Sequence, residues 1–153
     1  MSANLAWVQA WDLVAKSCVY LDRESYPDYL RLLDDDYEYT IRCYSPDLRK
    51  DMIHLKVNKG ELTDLVENIH NHIRLSGSLF RQASLYALEQ RDGLYEAMSY
   101  VSVTHTDLDG ASKVFCVGRY FDRIAVGDDG ARLKSREFRM ETRDIGPGCH
   151  FPI

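Results

Sequence analysis

The sequence predicts an α+β fold in which a strongly bent antiparallel sheet wraps over helices that precede it. Two observations predict this fold. Apolar residues recur at helical spacing before Leu79, whereas after it they recur at every second residue, as expected for strands. Short turns with Asp-Gly steps then separate four β-prone segments, which indicates consecutive hairpins. The helices therefore come first and the strands of a meander follow them.

The first half of the chain contains three predicted helices. The first covers the opening twenty residues, with Asn4 as its N-cap and one apolar stripe. This stripe comprises Leu5, Val8, Trp11, Ala15, Cys18 and Val19. A second helix is expected at residues 26–33, with Pro27 in its first turn and the three carboxylates of residues 34–36 as its stop. A third helix is expected to begin at Gly60 and to continue through Ile73.

One predicted strand precedes the third helix and four follow it. Residues 37–42 alternate in polarity and are β-prone, whereas residues 44–59 are expected to form a polar loop. The later strands are expected at residues 79–90, 95–106, 112–126 and 131–144. Residues 145–153 are rich in Gly and Pro, so we expect an irregular tail that crosses a surface or reaches a neighbouring chain.

Length and charge narrow the range of functions. The 153 residues suffice for a single domain, residues 1–153, with its own core. The net charge is −5 and no basic run occurs, which argues against nucleic acid or an anionic membrane as a partner. We find neither a signal-peptide pattern nor an apolar stretch long enough for a membrane span, so we expect a cytoplasmic protein.

The cysteines and histidines do not form a metal-binding pattern. The four cysteines include no CxxC pair and no array with zinc spacing. His70 and His72 are two positions apart on a predicted helix, so their side chains point about 200° away from each other. The remaining histidines are isolated in the sequence. We therefore expect no metal ion in this chain.

A set of polar and aromatic residues could line a pocket if the protein is an enzyme. Three of them, Tyr37, Tyr39 and Arg42, lie on the first predicted strand, and such a set could orient a small carboxylate or a phenol. The same residues could equally form an interface, and the neighbouring carboxylates could be a solvated helix end. The pocket candidates are Asp35, Tyr37, Tyr39, Arg42 and His105.

The segment at residues 117–124 is the most distinctive part of the sheet region. Gly118 lies within a predicted strand, where glycine usually marks a bulge or a sharp bend. Arg119 follows it directly, and Asp122 should lie on the opposite face because side chains alternate along a strand. Two interpretations remain open. The bend presents Arg119 to a partner, or it only curves the sheet and leaves Arg119 in solvent.

Three segments together resemble the beta subunit of aromatic-ring-hydroxylating dioxygenases. The first combines residues 20–22, 26–33 and 36–39, and resembles the helix–helix–strand opening of that family. The second is Val-Gly-Arg-Tyr-Phe-Asp at residues 117–122, and the third is the closing strand at residues 133–141 around Arg136. The resemblance implies a cone-shaped fold of the nuclear transport factor 2-like, or cystatin-like, class.

The resemblance also implies a function. Beta subunits of this family are non-catalytic and form a trimeric platform for catalytic alpha subunits, which carry a Rieske cluster and a mononuclear Fe(II). This chain has no CxH…CxxH motif, so both cofactors are expected in the partner. Structural or interface roles are implied for Gly118, Arg119, Tyr120, Asp122, Arg136 and Glu137. The alternative is a stand-alone dehydratase, isomerase or cyclase of the same fold, or a ligand-binding protein.

One pairing is expected within this set. The planar guanidinium of Arg119 should meet a carboxylate, because bidentate pairing fixes its geometry. The carboxylate could be Glu137 on the closing strand, or it could belong to another subunit.

Overall fold

The chain folds into a single curled sheet with helices on one side of it. The structure is a computed structural model that describes residues 2–71, 75–146 and 152–153. The helices in these residues are α1 (Ala3–Asp22), α2 (Tyr26–Arg31) and α3 (Lys59–Glu67), with a 3-10 turn at Ile69–Asn71. The strands are β1 (Leu33–Ser45), β2 (Lys50–Asn58), β3 (Ser78–Arg91), β4 (Leu94–Thr106), β5 (Ser112–Gly127) and β6 (Gly130–Met140).

The six strands lie in the order β2-β1-β6-β5-β4-β3. Strands β3 to β6 form the meander that the Asp-Gly turns predict, and Gly93 and Gly130 have the positive φ that such turns favour. Strand β1 pairs with β6 in parallel, so the sheet is not wholly antiparallel. The predicted α+β fold with a bent sheet over N-terminal helices is confirmed.

Helix α1 lies against the inner face of the sheet, where it contacts β3, β5 and β6. Its buried residues are Ala6, Ala10, Leu13, Val14, Ser17, Cys18 and Leu21. The predicted apolar stripe is therefore wrong for Leu5, Val8, Trp11 and Val19, which are exposed. The side of α1 that packs on the sheet combines small residues with Leu13, Val14 and Leu21, and it is not the predicted stripe. The N-cap is Ser2, whose hydroxyl accepts from the Leu5 N–H, and not Asn4.

Three predicted boundaries also differ from the structure. Helix α2 ends at Arg31, and the three carboxylates of residues 34–36 lie in β1 instead of stopping a helix. Two of them pair with Lys134 of β6, at 3.6 Å from Asp34 and 2.7 Å from Asp36. The predicted loop at residues 44–59 contains β2, an edge strand whose polar side chains are mostly exposed. Helix α3 ends at Glu67, and Ile73 lies outside the described residues.

The core lies between the inner face of the sheet and helices α1, α2 and α3. It contains a residue that the sequence places in an irregular tail, because Ile153 is fully buried there. Residues 142–146 have no regular structure, and residues 147–151 are outside the described part of the chain. We expected the tail to cross a surface or to reach a neighbouring chain, whereas its residues 152 and 153 lie inside this protein.

Candidate functional site

Strand β5 divides the residues of the distinctive segment between the two faces of the sheet. Gly118, Tyr120 and Asp122 face inward and are buried, whereas Arg119 faces outward and is exposed. Phe121 shares the outer side with Arg119 and is half-buried. The candidate residues therefore belong to two separate sites, one inside the curled sheet and one outside it.

The inner site contains a buried ion pair between β5 and β6. Arg136 holds Asp122 through two hydrogen bonds, Nε to Oδ1 at 2.7 Å and Nη2 to Oδ2 at 2.9 Å, and both side chains are 0% exposed. The third nitrogen of Arg136 donates to the Ser17 hydroxyl of α1 at 2.9 Å. The guanidinium carbon lies 3.8 Å from the centroid of the Tyr120 ring, a cation–π contact. The side chain of Arg136 thus joins three elements of the fold, α1, β5 and β6.

The charge on Arg136 is secured by its partner. Burial by itself would lower the pKa of this guanidinium, because a low-dielectric interior disfavours a charge. The Asp122 carboxylate and its hydrogen bonds outweigh burial and hold the pKa of Arg136 well above its usual range. Arg136 is therefore charged, and neither it nor Asp122 has exposed surface with which to reach a substrate in solvent.

A second buried pair joins β3 to α1. Arg81 donates through Nη1 to the Asp22 carboxylate at 2.7 Å, and its main-chain N–H donates to the same carboxylate at 3.1 Å. The Nη2 of Arg81 donates to the main-chain oxygen of Pro152 at 3.0 Å. The sequence analysis missed Arg81 as a site residue. The sequence did contain a signal for Arg81. Because side chains alternate along a strand, Arg81 shares the inward face of β3 with the apolar Leu79 and Ala83, so a charged residue occupies a core position.

Gly118 is required by the close approach of β6 to β5. A Cβ atom at this position would lie 2.2 Å from the main-chain oxygen of Arg139 and 2.9 Å from both the Met140 Cα and the Phe138 ring. Two of these three neighbours are backbone atoms, which cannot move aside without shifting a strand. The bend expected at Gly118 stays a prediction, whereas the structure shows that the paired strands β5 and β6 leave no room for a Cβ atom at this position.

The outer site consists of aromatic and arginine side chains in adjacent strands. Tyr100, Arg119 and Arg139 lie side by side on β4, β5 and β6. The Arg119 guanidinium carbon is 5.3 Å from the Tyr100 ring centroid, and that of Arg139 is 4.1 Å from the Phe121 ring centroid. Tyr86 of β3 stacks on Tyr100 with 4.5 Å between ring centroids. We call Tyr86, Tyr100, Val117, Arg119, Phe121 and Arg139 the outer patch.

The expected pairing of Arg119 with Glu137 is wrong. Glu137 lies 2.6 Å from Nε of Arg139 and 3.0 Å from Nε of Arg42, so two other arginines share it. Across the described stretches of the chain, no carboxylate forms an ion pair with Arg119. The possibility of a carboxylate on another subunit remains a prediction.

The pocket candidates do not converge on one cavity. Tyr37 and Tyr39 face the core, with ring centroids 6.5 Å apart. Asp35 is exposed and pairs with Lys59 at 3.4 Å, while Arg42 lies beside Glu137 on the outer face. His105 is on β4, where its Nε2 is 2.5 Å from the main-chain oxygen of Ser76. A catalytic site built from all five residues is therefore not formed.

The two tyrosines of β1 have different surroundings. The Tyr39 hydroxyl hydrogen-bonds with the main chain of Ile153, whereas the Tyr37 hydroxyl is buried without a hydrogen-bond partner in the described part of the chain. Burial, reinforced by the neighbouring Tyr29, raises the pKa of Tyr37 well above its usual value. Tyr37 is therefore a neutral core residue at ordinary pH.

The described residues contain no group of three or more His, Cys, Asp or Glu side chains arranged to hold a metal ion. Cys18 and Cys43 are buried free thiols, and Cys116 is also buried. Cys149, His72 and His150 lie outside the described residues. A search of the described helices for one long and apolar enough to span a membrane found none.

The family model and the curated relatives that match the chain are all beta subunits of oxygenases. The model of a family described as the ring hydroxylating beta subunit matches residues 16–146. The chain is 27% identical, over 92% of its length and 83% of the relative, to the beta subunit of a methanesulfonate monooxygenase hydroxylase from Methylosulfonomonas methylovora. It is 28% identical to the beta subunit of a 2-aminobenzenesulfonate 2,3-dioxygenase from an Alcaligenes species, over 87% of this chain and 89% of that one.

A solved structure has the same fold. It comes from Novosphingobium aromaticivorans and is described as the beta subunit of a candidate aromatic-ring-hydroxylating dioxygenase. The two chains superpose with a TM-score of 0.78 at 23% identity, over 94% of each chain.

Proposed function

The chain belongs to the ring hydroxylating beta subunit family, and on this premise we propose that it forms a trimer which holds catalytic alpha subunits in an oxygenase. The reaction itself takes place in the alpha subunits, which contain the metal centres in this family. The beta chain contributes a rigid body and surfaces for its neighbours. The inner ion pairs supply the rigidity, because each joins separate elements of the fold.

The observation that carries this proposal is the outer patch. Its Tyr100 is 54% exposed, and Arg119 beside it lacks a carboxylate within the described residues. Exposed tyrosine and arginine side chains are characteristic of the centres of protein interfaces. A carboxylate from a neighbouring copy of the chain would pair with Arg119 and complete the site. We therefore place a contact between two beta subunits at the outer patch.

A second exposed apolar surface supports an assembly with more than one kind of neighbour. Leu5, Val8 and Trp11 project from α1 on the side away from the sheet, and Trp11 is 55% exposed. Because α1 covers the inner face, this surface and the outer patch lie on opposite sides of the protein. Contiguous exposed apolar side chains usually mark contact sites. A subunit that touches both its own copies and an alpha subunit needs two such surfaces.

The oxygenase as a whole is expected to act on an aromatic or sulfonated compound. Both curated relatives belong to enzymes named for sulfonates, one aliphatic and one aromatic. Sulfonates are therefore the first substrate class to test. Their recognition would lie in the alpha subunit, so substrate preference should follow the alpha chain when beta chains are exchanged.

Coexpression with an alpha subunit tests the proposal. The beta chain alone should sediment as a trimer and should contain no stoichiometric iron. The complex should contain iron and should have the mass of three alpha and three beta chains. A beta chain that remains monomeric at micromolar concentration and does not copurify with the alpha subunit would contradict the proposal. Turnover by the beta chain alone would favour the stand-alone enzyme instead.

A further inference from the structure

The main chain of Ile153 is held inside the curled sheet by side chains from distant strands. Its N–H donates to the hydroxyl oxygen of Tyr39 at 2.9 Å. Its carbonyl oxygen accepts from the Tyr120 hydroxyl at 2.8 Å and from the Tyr39 hydroxyl at 3.3 Å. The side chain of Ile153 is fully buried in the core. Both main-chain polar groups of this residue are therefore satisfied by the sheet.

The preceding residue is held in the same way. The carbonyl oxygen of Pro152 accepts from Nη2 of Arg81 at 3.0 Å, and Arg81 is fixed from the other side by Asp22. The side chain of Arg81 is 3% exposed. Its Nε is buried and has no hydrogen-bond partner among the residues described. A buried guanidinium thus presents donors to this part of the interior.

These side chains are more polar than packing requires. Phenylalanine would fill a core position as well as tyrosine does, and burying a guanidinium or a hydroxyl costs free energy unless it finds partners. Tyr39, Tyr120 and Arg81 come from three strands, yet all three direct polar atoms at two consecutive residues. Together they recognise one acyl oxygen, one N–H, one further carbonyl oxygen and a branched aliphatic side chain.

We propose that Tyr39, Tyr120 and Arg81 form a binding site for an N-acylated branched aliphatic amino-acid unit, and that the protein's own Pro152 and Ile153 occupy it as an internal plug. The site requires no partner subunit, so it is independent of the assembly role. A free molecule of the same chemistry competes poorly with the attached plug, whose effective concentration is high. Weakening the plug should open the site.

The substitution Ile153→Gly in the full chain removes the branched side chain and keeps the main chain. N-acetyl-L-isoleucinamide is the probe, since it carries the acyl oxygen, the N–H, the branched side chain and the second carbonyl. We expect the probe to raise the melting temperature of this variant by about 3–6 °C at roughly ten times its Kd. It should leave the melting temperature of the parent protein unchanged.

Two controls make the test specific. N-acetylglycinamide lacks the side chain and should produce no shift. Adding Tyr39→Phe and Tyr120→Phe to the Ile153→Gly variant should abolish the shift, because the probe loses both phenolic hydroxyl groups. An equal shift in that triple variant or in the parent would place the probe elsewhere and overturn the proposal. The absence of any shift in a folded Ile153→Gly variant would also overturn it.

A folding failure would not leave the proposal untested. If Ile153→Gly does not fold alone, recovery of its near-ultraviolet circular dichroism with the probe becomes the measurement. The milder Ile153→Ala variant is then measured for a melting shift. If the probe neither restores the signal of the first variant nor raises the melting temperature of the second, the proposal of an internal binding site is contradicted.

Discussion

The two faces of β5 differ in where their side chains find partners. On the inner face, Asp122 and Tyr120 are fully buried and bond within the chain, to Arg136 and to Ile153. On the outer face, Arg119 stacks on an exposed tyrosine and has no ion pair within the described residues. Consecutive residues of one strand thus serve different purposes. The inner face holds the fold together, and the outer face offers groups to another molecule.

The arginines of the two faces make the same distinction. Arg81 and Arg136 each have a carboxylate at 2.7 Å within the chain. A buried arginine needs such a partner, because an uncompensated charge in the interior is very costly. Arg119 is exposed and water solvates it, so its partner can arrive from outside. The pairing state of an arginine therefore indicates whether it stabilises the fold or is available to a neighbour.

Breaking the inner ion pair should produce the largest loss of stability. Asp122→Asn removes the charge that Arg136 requires, and we expect the free energy of unfolding to fall by about 3–5 kcal/mol. Chemical denaturation of the variant and the parent measures this difference. The double variant Asp122→Leu/Arg136→Met, which replaces both charges by apolar groups, should recover much of the loss. If Asp122→Asn is as stable as the parent, the ion pair does not stabilise the interior.

Adding one methyl group between β5 and β6 should have the next largest effect. Gly118→Ala places a Cβ against the Arg139 carbonyl, so the strands must separate, at a cost of at least about 1–3 kcal/mol. Gly127→Ala on the same strand is the matched control, because no atom lies within 4 Å of its Cβ position. Equal melting temperatures of the two variants would contradict the close approach.

The two inward tyrosines of β1 should respond differently to loss of the hydroxyl. Tyr39→Phe breaks the hydrogen bonds to Ile153 and should lower the free energy of unfolding by about 1–2 kcal/mol. Tyr37→Phe removes a hydroxyl that has no partner in the described structure, so the free energy should stay the same or rise. Denaturant titrations of both variants check the ranking. If Tyr37→Phe lowers the free energy of unfolding more than Tyr39→Phe does, the assignment of hydrogen bonds to the two hydroxyl groups is wrong.

Local sequence signals predicted the elements that depend on neighbouring residues. The Asp-Gly steps gave the hairpins of the meander, and the helical period gave α1 and α3. The parallel pairing of β1 with β6 joins residues about a hundred positions apart and leaves no local signature. The exposed side of α1 was misassigned because its largest apolar residues face away from the sheet. Apolar residues occur on both sides of α1, so the helical period alone does not indicate which side packs on the sheet.

For the candidate site, the sequence predicts which face of a strand a residue occupies but not which residue it contacts. Strand alternation correctly separated Arg119 from Asp122 and placed them on opposite faces. It could not identify partners, because Glu137 lies within reach of Arg42 and Arg139 as well as near β5. The pairing of Arg81 with Asp22 spans 59 positions in the sequence and depends on how α1 lies across the sheet. The sequence therefore predicts which face of a strand a side chain occupies. Which of several nearby residues forms an ion pair with it depends on the packing of the folded chain.

The Arg119→Ala variant tests the assignment of the outer face most directly. Its oligomeric state by light scattering, its melting temperature and the activity of its complex with the alpha subunit are measured together, with Arg91→Ala in an exposed hairpin as the control. We expect assembly and therefore activity to be lost, while the free energy of unfolding of the chain changes by only ~0–1 kcal/mol. A variant that assembles normally but has no activity would contradict the interface role and favour a catalytic one.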